Sequence, residues 1–124
     1  MKVLALDFGS ARTGVAVSDP TGTLARPLAT IERAAGESGF AKLLAVIESE
    51  EPELVVVGMP LTLRGKHGEQ AQETSVFVER LRSSLRQPVE TYDERFTSVL
   101  AAGDDARAAA HLLSSYLEWQ SARR

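Results

Sequence analysis

The 124-residue chain has no cysteine. Disulfides and thiolate metal sites are therefore excluded, and nothing in the chain calls for an oxidising compartment. No apolar stretch approaches the roughly 20 residues needed to cross a bilayer, so no membrane partner is expected. The first residues enter an apolar run without a basic segment, a long apolar core or a cleavage site, which reads as no signal peptide and a cytoplasmic location. There is no excess of positive charge: the net charge is −3 and the pI about 5.4. A general nucleic-acid coat, which would be basic, is excluded. A nuclease is not, because carboxylates gathered around a metal make a chain acidic while a local basic rim still meets phosphates. Repeats, low-complexity tracts and linkers are missing too.

What is present is ordinary for a globular protein, with 44% apolar and 25% charged residues. The length suits one domain spanning residues 1–124. Val3-Leu4-Ala5-Leu6 is a buried-strand signature that ends on Asp7. Residues 9–14 turn the chain into a second strand at 14–18, and Leu24 to Ile31 reads as a third after Asp19-Pro20-Thr21-Gly22. Short connections imply that these three are antiparallel.

The period then changes. Phe40, Leu43, Leu44 and Ile47 fall at helical spacing, with Ser38 as N-cap and Pro52 as terminator. Leu54-Val55-Val56-Val57, closed by Gly58-Met59-Pro60, reads as a central strand covered on both faces. After a polar loop at 61–68, Ala71, Thr74, Phe77, Val78, Leu81 and Leu85 form a second helical stripe. Val89 to Tyr92 reads as a strand ending at Asp93-Glu94. Ala108, Ala109, Leu112, Leu113, Tyr116 and Leu117 form a third helical stripe. The expected fold is α/β: a mixed five-stranded sheet flanked by helices, its first three strands antiparallel and its last two parallel.

The acids carry the chemistry. An ionised carboxylate at the end of a buried strand needs hydrogen bonds, an opposite charge or a cation. Asp7 ends the first strand, and Asp93 and Glu94 end the last. If those strands are parallel neighbours, the three acids share the rim where open α/β sheets bind ligands. Asp105 lies three and four residues before Ala108 and Ala109, on the apolar stripe of its helix, and can be aimed at that rim. Asp104 points about 100° away, as a cap or solvent group. Converging carboxylates suit Mg²⁺ or Mn²⁺. One such ion, or two about 4 Å apart, would serve phosphodiester hydrolysis. Arg12, Arg64, Lys66 and Arg95 fall in loops near the rim and are candidate phosphate contacts, Arg95 alternatively steadying Glu94. Gly9 and Gly14 have a Walker-like spacing without the Gly-Lys-Ser/Thr ending, so this is no Walker loop. His67 reads as an exposed loop residue, Thr97 and Ser98 as caps, and Trp119 as a packing or dimer contact.

Leu6-Asp7-Phe8-Gly9, Arg12 through Asp19, Val55 through Leu61 and Asp93 through Ser98 closely resemble the bacterial YqgF (RuvX) family, in order and over essentially the whole chain. The resemblance implies an RNase H-like fold and a nuclease maturing the 5′ end of the small-subunit (16S) ribosomal RNA precursor, working near ribosomal particles. A Holliday-junction resolvase acting on branched DNA is the alternative. The resemblance maps the first-strand acid to Asp7, the strand-end acid to Glu94 and the terminal-helix acid to Asp105, with Asp93 as a further ligand or a support. Two departures stand out. Val99 to Asp104 is shorter than the family's basic segment there, and Thr62-Leu63-Arg64-Gly65-Lys66 lacks the family's Asn.

Two other classes compete. A non-catalytic RNA-binding or transcription-associated factor would bind without cleaving. An ATPase lobe would use Asp7-Phe8-Gly9 as a phosphate turn, but it would need a second lobe to enclose nucleotide. Junction cleavage requires paired symmetric cuts and hence a homodimer, whereas RNA processing is open to a monomer.

Overall fold

The computed structural model describes residues 1–60, 69–93 and 105–123, without the side chain of Glu69. These residues form β1 (Val3–Asp7), β2 (Arg12–Ser18), β3 (Ala25–Glu32), α1 (Glu37–Glu50), β4 (Leu54–Met59), α2 (Glu69–Ser84), β5 (Val89–Asp93) and α3 (Asp105–Ala122). The sheet order is β3-β2-β1-β4-β5. β1 pairs antiparallel with β2, and β2 with β3; β4 runs parallel to β1 and to β5. The mixed sheet expected from the apolar runs is present.

Strand alternation divides the interior into two layers. Leu4, Leu6, Val15, Val55 and Val57 face α1 and α2, meeting Phe40, Leu43, Ile47, Phe77, Val78 and Leu81. Val3, Ala5, Ala16, Leu54 and Val56 face α3, meeting Ala109, Leu112, Leu113 and Tyr116. β1 and β4 are central and covered on both sides, which is why their sequences are uninterrupted apolar runs rather than alternating ones.

Two helix boundaries differ in detail from the sequence pattern. Ser38 is not the N-cap of α1: Gly36 is, with extended backbone and no side-chain cap. The reason is close packing in the first turn. A Cβ on Gly39 would lie 2.0 Å from the Arg33 carbonyl oxygen, so the helix start rests directly on the β3–α1 turn. At the other end, Glu51 adopts a left-handed conformation and donates its N–H to the Ile47 carbonyl (3.0 Å), one residue before Pro52.

On the α3 layer, Tyr92 and Tyr116 meet edge to face, ring centroids 5.5 Å apart. Trp119 packs on both rings at 5.7 Å, with the Arg123 guanidinium over its own ring. Burial and the nearby Glu90 carboxylate push the Tyr116 hydroxyl up to about 12.

The β2–β3 turn is built on Asp19. Its carboxylate accepts hydrogen bonds from the Thr21 hydroxyl and from the backbone N–H groups of Leu24 (3.0 Å) and Thr23 (2.8 Å). Those bonds, the Thr21 hydroxyl first, hold the carboxyl well below the usual carboxylate range. A group whose folded pKa is depressed stabilises above its unfolded value and loses that contribution as pH falls through the folded one. Asp19→Asn is therefore expected to lower the thermal midpoint at neutral pH. The gap from the unsubstituted protein should narrow once pH drops below about 4, the unfolded carboxyl value. Paired melting curves across the acid range measure this, and a constant gap would contradict it.

Candidate active site

Asp7 is the last residue of β1 and stands directly opposite Gly14 of β2. Alternation puts it on the same face as Val3 and Ala5, beneath α3. Its neighbour Phe8 packs into the opposite layer, its ring stacked on Phe77 with centroids 4.3 Å apart. That contact fixes which way the strand end faces. The following loop is tight: Thr13 Oγ1 lies 3.4 Å from the Gly9 amide, and the Arg33 amide donates to the Ala11 carbonyl at 2.9 Å.

Gly14 brings the second acid in. A Cβ there would sit 1.7 Å from the Asp105 carbonyl oxygen. The first turn of α3 thus lies against the β2 backbone, in the place a side chain would occupy, next to Asp7. The Asp105 carboxylate Oδ2 is 3.0 Å from the Arg12 Nε. Arg12 lies two residues before Gly14 and so shares its face. Asp7 and Asp105 consequently come to one rim, where the Arg12 guanidinium pairs with Asp105. On the far side of Asp7, one step beyond the last paired row Leu6–Val57, β4 supplies Gly58. Neither flanking strand therefore places a side chain beside Asp7. Among the described residues nothing hydrogen-bonds or ion-pairs with its carboxylate, which is half-buried.

β4 lies between β1 and β5, so the first and last strands are not the neighbours that the simplest reading of the acids assumed. Their carboxyl ends do share a rim, about 10 Å apart at two strand spacings. Asp93 pairs with Met59. Alternation from Tyr92, which contacts the α3 layer, turns Asp93 to the other face. The structure does not bring Asp93 to Asp7 and Asp105. Glu94, Arg64, Lys66, His67, Arg95, Thr97, Ser98 and Asp104 lie outside the described residues. Among the described residues no group of three or more His, Asp or Glu side chains is close enough to hold a metal.

Residues 1–107 match the family described as RuvX: Holliday junction resolvase. The chain belongs to the RuvX family. Among its curated RuvX relatives is a protein of Chloroflexus aurantiacus (strain J-10-fl), 44% identical over 80% of this chain and 65% of that protein. A second, from Sulfurihydrogenibium sp. (strain YO3AOP1), is 39% identical over 94% of this chain and 90% of the relative. Both carry the name "Putative pre-16S rRNA nuclease". The chain thus spans about two thirds of the Chloroflexus relative. The second alignment runs over 132 positions, more than the chain's 124 residues, so that relative has residues with no counterpart here. Among solved structures, Thermus thermophilus RuvC matches with a TM-score of 0.56 at 16% identity, over 98% of this chain and 97% of that one. The Fowlpox virus resolvase, solved in complex with Holliday junction DNA, matches with a TM-score of 0.62 at 13% identity, over 97% of this chain and 99% of that one. These likenesses establish the RNase H-like fold of the RuvX chain.

The sequence pattern placed Asp7 and Asp105 together but missed what joins them. Gly14 read as a turn residue, and Arg12 as a phosphate contact alone. The available signal was a glycine inside a strand pattern, which marks close approach by another backbone. Gly14→Ala is expected to push α3 off β2 and cost on the order of 1–3 kcal/mol or more. Urea unfolding measures that loss; unchanged stability would mean that the helix start does not rest on this glycine.

Proposed function

We propose that this chain is a metal-dependent nuclease, a single domain over residues 1–124, that hydrolyses phosphodiester bonds in maturing the 5′ end of the 16S ribosomal RNA precursor. The observation carrying the reading is the pair Asp7 and Asp105 on one rim, with Asp7 set between two glycines. The relatives' names supply the RNA. A partly buried carboxylate with an open flank and no described partner is poised for a cation and for a substrate approaching over it.

The donors fit Mg²⁺ or Mn²⁺, which take hard oxygen ligands and keep water in their remaining positions. Asp7 and Asp105 would hold the ion, with Glu94 completing the set as the family resemblance implies. One or two such ions would supply an activated water and neutralise charge on the departing oxygen. The chain's own part is positioning. Asp7 is fixed by strand pairing and by Phe8, and Asp105 by the contact of its backbone with Gly14. Arg12, with Arg64, Lys66 and Arg95, would bind phosphates flanking the scissile bond and align it. We place the protein in the cytoplasm near ribosomal particles, consistent with a cysteine-free sequence. Among the described residues no helix is long and apolar enough to cross a membrane.

The second reading, a junction resolvase acting as a homodimer, draws on the family's description alone. The test compares precursor 16S RNA with four-way DNA junctions, each in Mg²⁺ and Mn²⁺. The expectation is cleavage of the RNA, reduced at least about 100-fold in Asp7→Asn with circular dichroism unchanged. Symmetric cutting of the junction alone would select the resolvase. Cleavage at full rate by the folded variant would reject Asp7 as part of the site.

A further inference from the structure

We propose that Arg12 is an internal counter-cation: it holds Asp105 at the rim in the cation-free protein, gives it up on loading, and then turns to the substrate phosphate. This rests on the metal-dependent nuclease reading and adds to it an order of events.

Three features carry it. First, the partner choice is selective. Arg12 stands across from Glu32 in the β2–β3 register, yet the ion pair it makes is with Asp105. Second, both backbones are immobilised, one in β2 and the other against Gly14. Arg12 therefore has no need to tie down the helix and acts on the Asp105 carboxylate itself. Third, the bond is readily exchanged. The side chains of Arg12 and Asp105 are 57% and 29% exposed, and an ion pair so open to water shifts an equilibrium only about 2–5-fold. The contact uses Nε, so the terminal nitrogens keep the donors that grip a phosphate oxygen pair.

A carboxylate in a guanidinium contact has one oxygen engaged and its charge countered. Binding of a divalent cation at Asp7 and Asp105 must compete with that contact. Its release frees a positive group within one side chain's reach of the rim, where the phosphodiester would arrive. Arg12 is on this account a positioning residue for Asp105 first and a substrate contact second.

Nitrogen-15 NMR of the whole chain tests this. The Arg12 Nε–H signal, assigned by its loss in Arg12→Lys, should move on adding Mg²⁺, with the midpoint found for Mg²⁺ binding by calorimetry. Arg12→Gln should bind Mg²⁺ about 2–5-fold more tightly. Arg12→Lys should raise KM for precursor RNA about 10-fold or more while kcat changes little. A signal unmoved at saturating Mg²⁺, or unchanged or weaker binding in Arg12→Gln, would make the pair purely structural and overturn the inference. A protein that binds Mg²⁺ and cleaves RNA with Arg12 unmoved loses this inference alone. A protein that takes up no Mg²⁺ loses the metal-dependent reading with it.

Discussion

The contact between the Gly14 backbone and the Asp105 carbonyl is the constraint on which the rim depends. Strand pairing already aims Asp7 across the face that α3 covers, but pairing alone leaves it isolated. The second acid arrives because β2 presents no Cβ at Gly14 and the start of α3 comes to backbone distance. Any side chain at Gly14 would interpose atoms between the helix and the strand and carry Asp105 away from Asp7. A few tenths of an ångström matter little in a loop. At a site built from two rigid elements they are transmitted whole.

The two faces of the sheet divide the work. The α1/α2 layer holds the aromatic trio Phe8, Phe40 and Phe77 and most of the large aliphatic residues, and it steadies the strand ends from behind. On the α3 side, β1 and β2 contribute smaller residues, Val3, Ala5 and Ala16, than the Leu4, Leu6 and Val15 they turn to the other layer, while Leu54, Val56 and Tyr92 complete the face against Leu112, Leu113 and Tyr116. Small side chains on β1 and β2 let the start of α3 lie close, as its contact with Gly14 requires. The difference between Leu4-Leu6 on one face and Val3-Ala5 on the other thus follows from what each face has to accommodate.

Much of this was legible in the residues themselves. Uninterrupted apolar runs mark β1 as a buried strand and β4 as a central one, and the helical spacing of Ala71, Thr74, Phe77, Val78 and Leu81 gives the buried stripe of α2. Asp105 was assigned to the sheet-facing side from its offset to Ala108 and Ala109. The rest depended on relations that periodicity does not encode. Nothing local says that β4 inserts between β1 and β5, because strand order is decided by crossover connections and not by the strands' own composition. Ser38 is a better capping residue than Gly36, but tertiary packing at Gly39 overrode propensity. Arg12 could have faced solvent, Glu32 or Asp105, and only the seating of α3 decided between them.

Asp7 ends the first strand and Asp105 opens the last described helix, with the other four described strands between them in the chain. As the polypeptide leaves the ribosome, every described strand has emerged before the second carboxylate does. The acidic rim is accordingly the last feature of the described fold that this chain can assemble. A product ending before α3 would lack the second acid and would also leave Val3, Ala5, Ala16, Leu54 and Val56 uncovered on that face of the sheet.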